Sequence, residues 1–145
     1  MTETPLLQVE DLHVSYQGRV GPVPAVRGIS FALGRERLGI VGESGSGKST
    51  IGRAILGLLP RNATVTARQL RLHDVDLLHA RDRALRDIRG RRISMVLQDP
   101  KFSLNPVMTV GRQIAESYRV HRRAAATEAR RKTLEMLEEI GRAHV

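Results

Sequence analysis

Apolar residues alternate with polar ones over the N-terminal part of the chain and recur every third or fourth position further on. Leu7, Val9, Leu12, Val14 and Tyr16 follow the first period, with a break in step at Glu10-Asp11, and predict a strand with an irregularity there. Gln17-Gly18-Arg19 and Gly21-Pro22 supply a turn. Val26, Ile29, Phe31 and Leu33 then predict a second strand or strand pair. After the turn at Gly34-Arg35-Glu36, residues 38–41 (Leu-Gly-Ile-Val) read as a short buried strand. Ile51, Ala54, Ile55 and Leu58 lie on one face of a helix that Leu59-Pro60-Arg61-Asn62 ends. Residues 63–78, with Leu70, Leu72 and Val75, predict a strand and a bend at Asp74 and Asp76. Leu85 and Ile88 mark a short helix over 81–89, and 93–97 (Ile-Ser-Met-Val-Leu) a compact apolar strand. Residues 110–120 and 124–140 have helical spacing, the latter with Leu134, Leu137 and Ile140 on one side. Alternating strand and helix signals of this kind define an α/β chain with no repeat and no dividing linker.

Between the 38–41 strand and the helix after it stands Gly42-Glu43-Ser44-Gly45-Ser46-Gly47-Lys48-Ser49-Thr50. A glycine-rich turn capping a helix would use Ser44, Ser46 or Ser49 as a cap and nothing more. The spacing of Gly42, Gly47, Lys48 and Ser49, in a strand–loop–helix context, instead matches the phosphate-binding P-loop. Glycines let the backbone curl with its N–H groups inward, and the helix N-terminus adds unpaired donors and a partial positive charge. Lys48 then reaches the β- and γ-phosphates of a nucleotide, and the Ser49 hydroxyl is placed to ligate Mg²⁺.

Composition narrows the class. The 145 residues are 41% hydrophobic and 27% charged, the balance of a globular domain with a core. Tryptophan and cysteine are absent, so Leu, Ile, Val and Ala build the core, and disulfides and thiolate–metal sites are excluded. No apolar run is long enough to span a bilayer. The net charge of +9, from 24 basic and 15 acidic residues, points to an anionic neighbour: phosphate, nucleic acid or an acidic membrane surface. The excess is nearly all arginine and is spread along the chain, so nucleic acid is not the expected partner. The densest basic run, Arg81, Arg83, Arg86, Arg89, Arg91 and Arg92 with Asp82 and Asp87, reads as a solvated helix face. The five histidines show no metal-ligand spacing.

A P-loop needs a second polar element to order Mg²⁺ and the attacking water. The only candidate is the 93–97 strand delivering Gln98 and Asp99. Asp99 as the Mg²⁺-ordering carboxylate would suit a small kinase or GTPase; Gln98 as ligand and water contact is the other possibility.

The loop at 42–50, Gln98-Asp99-Pro100 and Ser103-Leu104-Asn105-Pro106 together resemble the ATP-binding subunit of an ABC transporter, in particular the dipeptide/oligopeptide/nickel importer branch. The resemblance runs from Leu6 to about Ile140 and implies a P-loop NTPase fold of the ABC ATPase type. Its parts would be an antiparallel β-subdomain, part of a RecA-like core and the start of a helical subdomain, with 6–105 as subdomain and core and 106–145 as helical start. It further implies that Tyr16 stacks on adenine, that residues 42–50 hold the phosphates of ATP, and that Ser49 and Gln98 hold Mg²⁺. Lys48 and Gln98 would act in hydrolysis, with Gln98 sensing the γ-phosphate. The implied partners are integral membrane transporter subunits and a second ATP-binding subunit, and the implied location is the cytoplasmic face of the membrane, peripherally bound. Arg35 stands where the family usually has Gly, and Leu97 where it usually has Phe. No Leu-Ser-Gly-Gly-Gln signature, no apolar strand ending in Asp-Glu and no switch histidine occurs in the 145 residues, so the chain is expected to be the N-terminal part of a longer subunit, inactive alone. The rival readings are a small P-loop kinase and a non-enzymatic nucleotide-binding module.

Overall fold

The computed structural model describes residues 4–97 and 104–142. They belong to two compact units, Met1–Arg89 and Gly90–Val145.

In the first unit the long strands β1 (Leu7–Gln17) and β2 (Pro22–Leu33) form an antiparallel ribbon. The helix α1 (Lys48–Ile55) follows, then β3 (Ala63–Thr66), β4 (Gln69–Leu72), β5 (Val75–Asp76) and the helix α2 (Asp82–Ile88). The sheet order is β2-β1-β4-β5, and β3 pairs with the other half of the same β1 edge that β4 uses. The stretch 63–78 thus resolves into three short strands, with the β4–β5 turn made by His73 at φ 51°.

The break in step at Glu10-Asp11 is a bulge. Register passes from Val9 opposite Phe31 to Leu12 opposite Ile29, and Asp11 takes φ 52°. One extra residue shifts the alternation, so that Leu7, Val9, Leu12 and Val14 all face inward and are buried. The left-handed conformation is supported locally: the Asp11 N–H donates to Ser30 Oγ at 2.9 Å, and Asp11 Oδ1 meets His13 Nε2 at 2.9 Å. The core adds Val26, Leu70 and Leu72 from the sheet, Ile51, Ala54, Ile55 and Leu56 around α1, and Leu85 and Ile88 of α2.

Three expectations are corrected. The runs 38–41 and 93–97 form no strand, apart from a single bridge at Ile93. Val41 and Val96 are 96% and 91% exposed. An apolar run becomes a strand only where a neighbour accepts its ladder of hydrogen bonds, and among the described residues neither run is paired beyond the bridge at Ile93. Leu58 is not on the buried face of α1 either. The helix stops at Ile55 because Gly57, at φ 61°, turns the chain in a Schellman motif: Leu58 N–H donates to Arg53 O at 2.8 Å and Gly57 N–H to Ala54 O at 3.0 Å.

The second unit is a helical hairpin, α3 (Val110–Arg122) and α4 (Ala126–Arg142). Thr109 caps α3, its Oγ1 accepting from Arg112 N–H at 3.4 Å, and Arg123 at φ 51° ends it. Ahead of α3, Gln113 ties down the turn at Asn105. Its Nε2 donates to the carbonyls of Asn105 and Met108 at 3.0 Å, and its Oε1 accepts from Asn105 N–H at 2.9 Å. Ala129 and Thr133 are buried, the Thr133 hydroxyl donating to Ala129 O at 2.8 Å. The α4 face of Leu134, Leu137 and Ile140 is formed as expected but remains partly exposed, at 54%, 38% and 50%.

Candidate phosphate-binding site

The loop owes its form to its glycines. Gly45 and Gly47 adopt φ 81° and 92°, which side chains other than hydrogen disfavour. Gly47 has a second reason. A Cβ there would lie 2.5 Å from the carbonyl oxygen of Ala25, so the loop rests directly against the backbone of β2. A Cβ on Gly42 would lie 2.7 Å from Ser46 Oγ. One backbone bond crosses the loop, from Ser46 N–H to Glu43 O at 3.2 Å.

Gly47 is also the N-cap of α1, and a glycine offers no side chain to cap with. Ile51 N–H is the first to turn back into the helix, reaching Gly47 O at 3.0 Å. The N–H groups of Lys48, Ser49 and Thr50 therefore point forward, out of the helix end, without an intrahelical acceptor. Lys48 folds back across the loop. Its Nζ donates to Gly42 O at 2.7 Å, Glu43 O at 2.6 Å and Ser46 Oγ at 3.2 Å. An ammonium group, N–H groups without an intrahelical acceptor and the positive end of a helix dipole thus lie together at the front of α1. Such a set fits the phosphate chain of a nucleotide and has little use for an uncharged ligand.

Ser49, exposed on the first turn of α1, offers its hydroxyl at the same helix end. Among the described residues no cluster of His, Asp or Glu stands ready for a metal ion, and Ser49 is the hydroxyl at this helix end that could ligate one. Glu43 and Ser44 are exposed in the loop, and Thr50 is half-buried in the first turn.

Tyr16 is half-buried near the end of β1, opposite Val23 of β2 and Ala63 of β3. Val23 is two residues from Ala25, against which the loop rests. Tyr16 is therefore roughly 8 Å along the sheet from that contact, by strand spacing and rise. Beside the loop lies a groove of about 430 Å³ lined by Ala25, Val26, Arg27 and Ile29 of β2 together with Gly45 and Ser46. The ribbon thus brings Tyr16 near the P-loop, although Tyr16 does not line the groove. Gln98 and Asp99 lie outside the described residues, as does Ser103.

Two features escaped the sequence reading. The β2 backbone at Ala25 forms the seat of the loop, and its only trace in the sequence is the glycine at position 47. Arg89 is not part of a solvated helix face: its guanidinium is turned onto the C-terminal end of α1. No local pattern announces that contact, because its partners are 32 and 33 residues away.

The sheet, the glycine loop and the helix it feeds define a P-loop nucleotide-binding protein of α/β class. More narrowly, residues 26–145 match the family model for ABC transporter, and the chain belongs to that family. It is 44% identical over 138 residues to the dipeptide transport ATP-binding protein DppD of Bacillus subtilis, an alignment covering 94% of this chain and 41% of that protein. Over 140 residues it is 46% identical to the oligopeptide transport ATP-binding protein OppD of Mycobacterium tuberculosis, covering 95% and 23%. It is 40% identical over 138 residues to the probable D,D-dipeptide transport ATP-binding protein DdpD of Escherichia coli, covering 94% and 42%. The chain spans about two-fifths or less of the length of these relatives. No helix among the described residues is long and apolar enough to cross a membrane.

Proposed function

We propose that this chain carries the nucleotide-binding portion of an ABC-type importer subunit, which couples ATP binding and hydrolysis to the uptake of peptides or related solutes. The observation that carries the reading is the Lys48 ammonium laid across a loop whose neighbouring N–H groups are free. The names of the relatives, all peptide-transport ATP-binding proteins, support the solute class.

In this reading residues 42–50 hold the triphosphate of ATP. Lys48 exchanges part of its contact with the Gly42 and Glu43 carbonyls for the phosphate oxygens, and the N–H groups at the start of α1 fix the chain of phosphates in line. Ser49 and Gln98 are the residues that would hold Mg²⁺, which would supply neutralisation of the phosphate charge. Tyr16 stacks on adenine, and Gln98 orients water and reports on the γ-phosphate. Residues 6–105 make up the β-subdomain and core, and 106–145 the start of the helical subdomain. The partners are integral membrane subunits and a second ATP-binding subunit, at the cytoplasmic face of the membrane.

Lys48→Ala tests the reading. It removes a charged donor from a polyphosphate and should weaken ATP binding by about 3 kcal/mol, roughly a hundredfold, while adenosine, lacking phosphate, binds as before. Titration calorimetry with ATP, ADP and adenosine separates these. Equal ATP affinity in the variant would remove the assignment.

A further inference from the structure

The C-terminal end of α1 is closed by a residue from another element. Arg89 follows α2, whose Leu85 and Ile88 are buried. Its Nε donates to Leu56 O at 2.7 Å and its Nη2 to Gly57 O at 2.8 Å. The Schellman turn uses the carbonyls of Arg53 and Ala54, which leaves those of Leu56 and Gly57 without helical partners. A two-pronged guanidinium answers both and sets a positive charge at the negative end of the helix dipole. Gly57 fits the arrangement twice over: it takes φ 61°, and a Cβ there would lie 2.9 Å from Arg89 Nη2 and 3.2 Å from Leu85 Cδ1.

We propose that Arg89 is a positioning residue for the phosphate site: it anchors the P-loop helix from behind, so that affinity for the phosphate chain depends on a guanidinium that touches neither phosphate nor base. The inference rests on the nucleotide-binding reading above. Its physical ground is the size of α1. Eight residues make a rod of roughly 12 Å, below the length at which a helix holds its shape unaided. Its order comes from tertiary anchors. Gly47 is seated on Ala25 at the N-terminal end and Arg89 holds the C-terminal end, with Ile51, Ala54, Ile55 and Leu56 buried along the helix. Releasing the second anchor lets the helix fray and tilt, and the N–H fan at its front then has to be ordered by the ligand at the expense of affinity.

The test uses the whole 145-residue chain with Arg89→Met, which keeps an unbranched stem but donates to neither carbonyl. Three quantities are read: amide hydrogen exchange over residues 54–58, ATP affinity and adenosine affinity. The expected result is faster exchange over 54–58, ATP affinity lower by about tenfold, and adenosine affinity within about twofold of wild type. General destabilisation would lower both affinities together, so the split between them reads positioning. Unchanged exchange, or unchanged ATP affinity, overturns the proposal. If the wild-type chain binds no ATP, the nucleotide reading itself fails, and that outcome is distinct from a variant that binds as well as wild type. Should Arg89→Met not melt cooperatively, the wild-type chain still decides: a clamped Arg89 gives a slowly exchanging Nε–H resonance that shifts on adding ATP, and a rapidly exchanging, unshifted one overturns the proposal.

Discussion

Gly47→Ala and Gly45→Ala impose a similar conformational cost and differ in what the added Cβ meets, which makes the pair a measure of how the loop is seated. Both glycines have positive φ, 92° and 81°, so alanine at either position costs about 1–2 kcal/mol of backbone strain. At Gly45 a Cβ meets nothing within 4 Å, and the cost ends there. At Gly47 the Cβ would stand 2.5 Å from Ala25 O, a carbon–oxygen pair that needs more than 3 Å. The obstacle is backbone in the middle of β2, so it moves only if the ribbon or the loop moves. Forcing an extra group into a packed site costs about 1–3 kcal/mol. Gly47→Ala should therefore lose roughly 2–5 kcal/mol and Gly45→Ala roughly 1–2, against a total stability of about 5–15 kcal/mol for a domain of this size. Urea denaturation of the three chains, comparing midpoints at matched slopes, gives both numbers. ATP titration should rank the variants in the same order, since a displaced loop no longer points its N–H groups together. Equal losses at the two positions would refute the seating of the loop on Ala25.

Three further outcomes are expected. If Tyr16 stacks on the base, Tyr16→Ala should cost roughly 1–3 kcal/mol in ATP affinity and Tyr16→Phe almost nothing, with GTP losing as much as ATP; unchanged binding in the alanine variant would leave Tyr16 a strand residue. The carboxyl of Asp76 is held below the usual carboxylate range chiefly by its hydrogen bond with the His79 side chain, aided by the N–H groups of His79 and Leu78. A depressed folded-state pKa stabilises above the ordinary carboxylate pKa of about 4 and is lost as pH falls below it, so wild type should exceed Asp76→Asn at neutral pH and converge with it in acid; parallel curves of urea midpoint against pH would contradict this. Without a facing signature loop or an Asp-Glu strand, the 145-residue chain should turn MgATP over no faster than background. Robust turnover that Lys48→Ala abolishes would sink the importer reading and favour a kinase-like site complete in itself.

What the sequence disclosed follows the range of the forces involved. The P-loop was legible because its glycines, lysine and hydroxyl lie within one short stretch, and the structure draws Lys48 onto the Gly42 and Glu43 carbonyls as that spacing allows. The bulge at Asp11 showed as a skipped beat in an alternating pattern, a purely local sign. Residues 38–41 and 93–97 misled for the opposite reason. Val and Ile in a row report a preference for burial, whereas a strand also requires a neighbour, which the run itself does not encode. Leu58 fell off its helix because one glycine outweighs an i+7 match, and Gly57 was there to be read. Arg89 was illegible: six arginines interspersed over residues 81–92 look alike, and only tertiary structure selects the one that meets α1.

Amide chemical shifts of the ¹⁵N-labelled chain report residue by residue on whether the front of α1 is a phosphate site. On adding ATP, and equally on adding inorganic tripolyphosphate, the largest shifts should fall on Gly45, Gly47, Lys48, Ser49 and Thr50. Adenosine should leave these five amides in place. Shifts that avoid the loop, or that follow adenosine and ignore tripolyphosphate, would contradict the account.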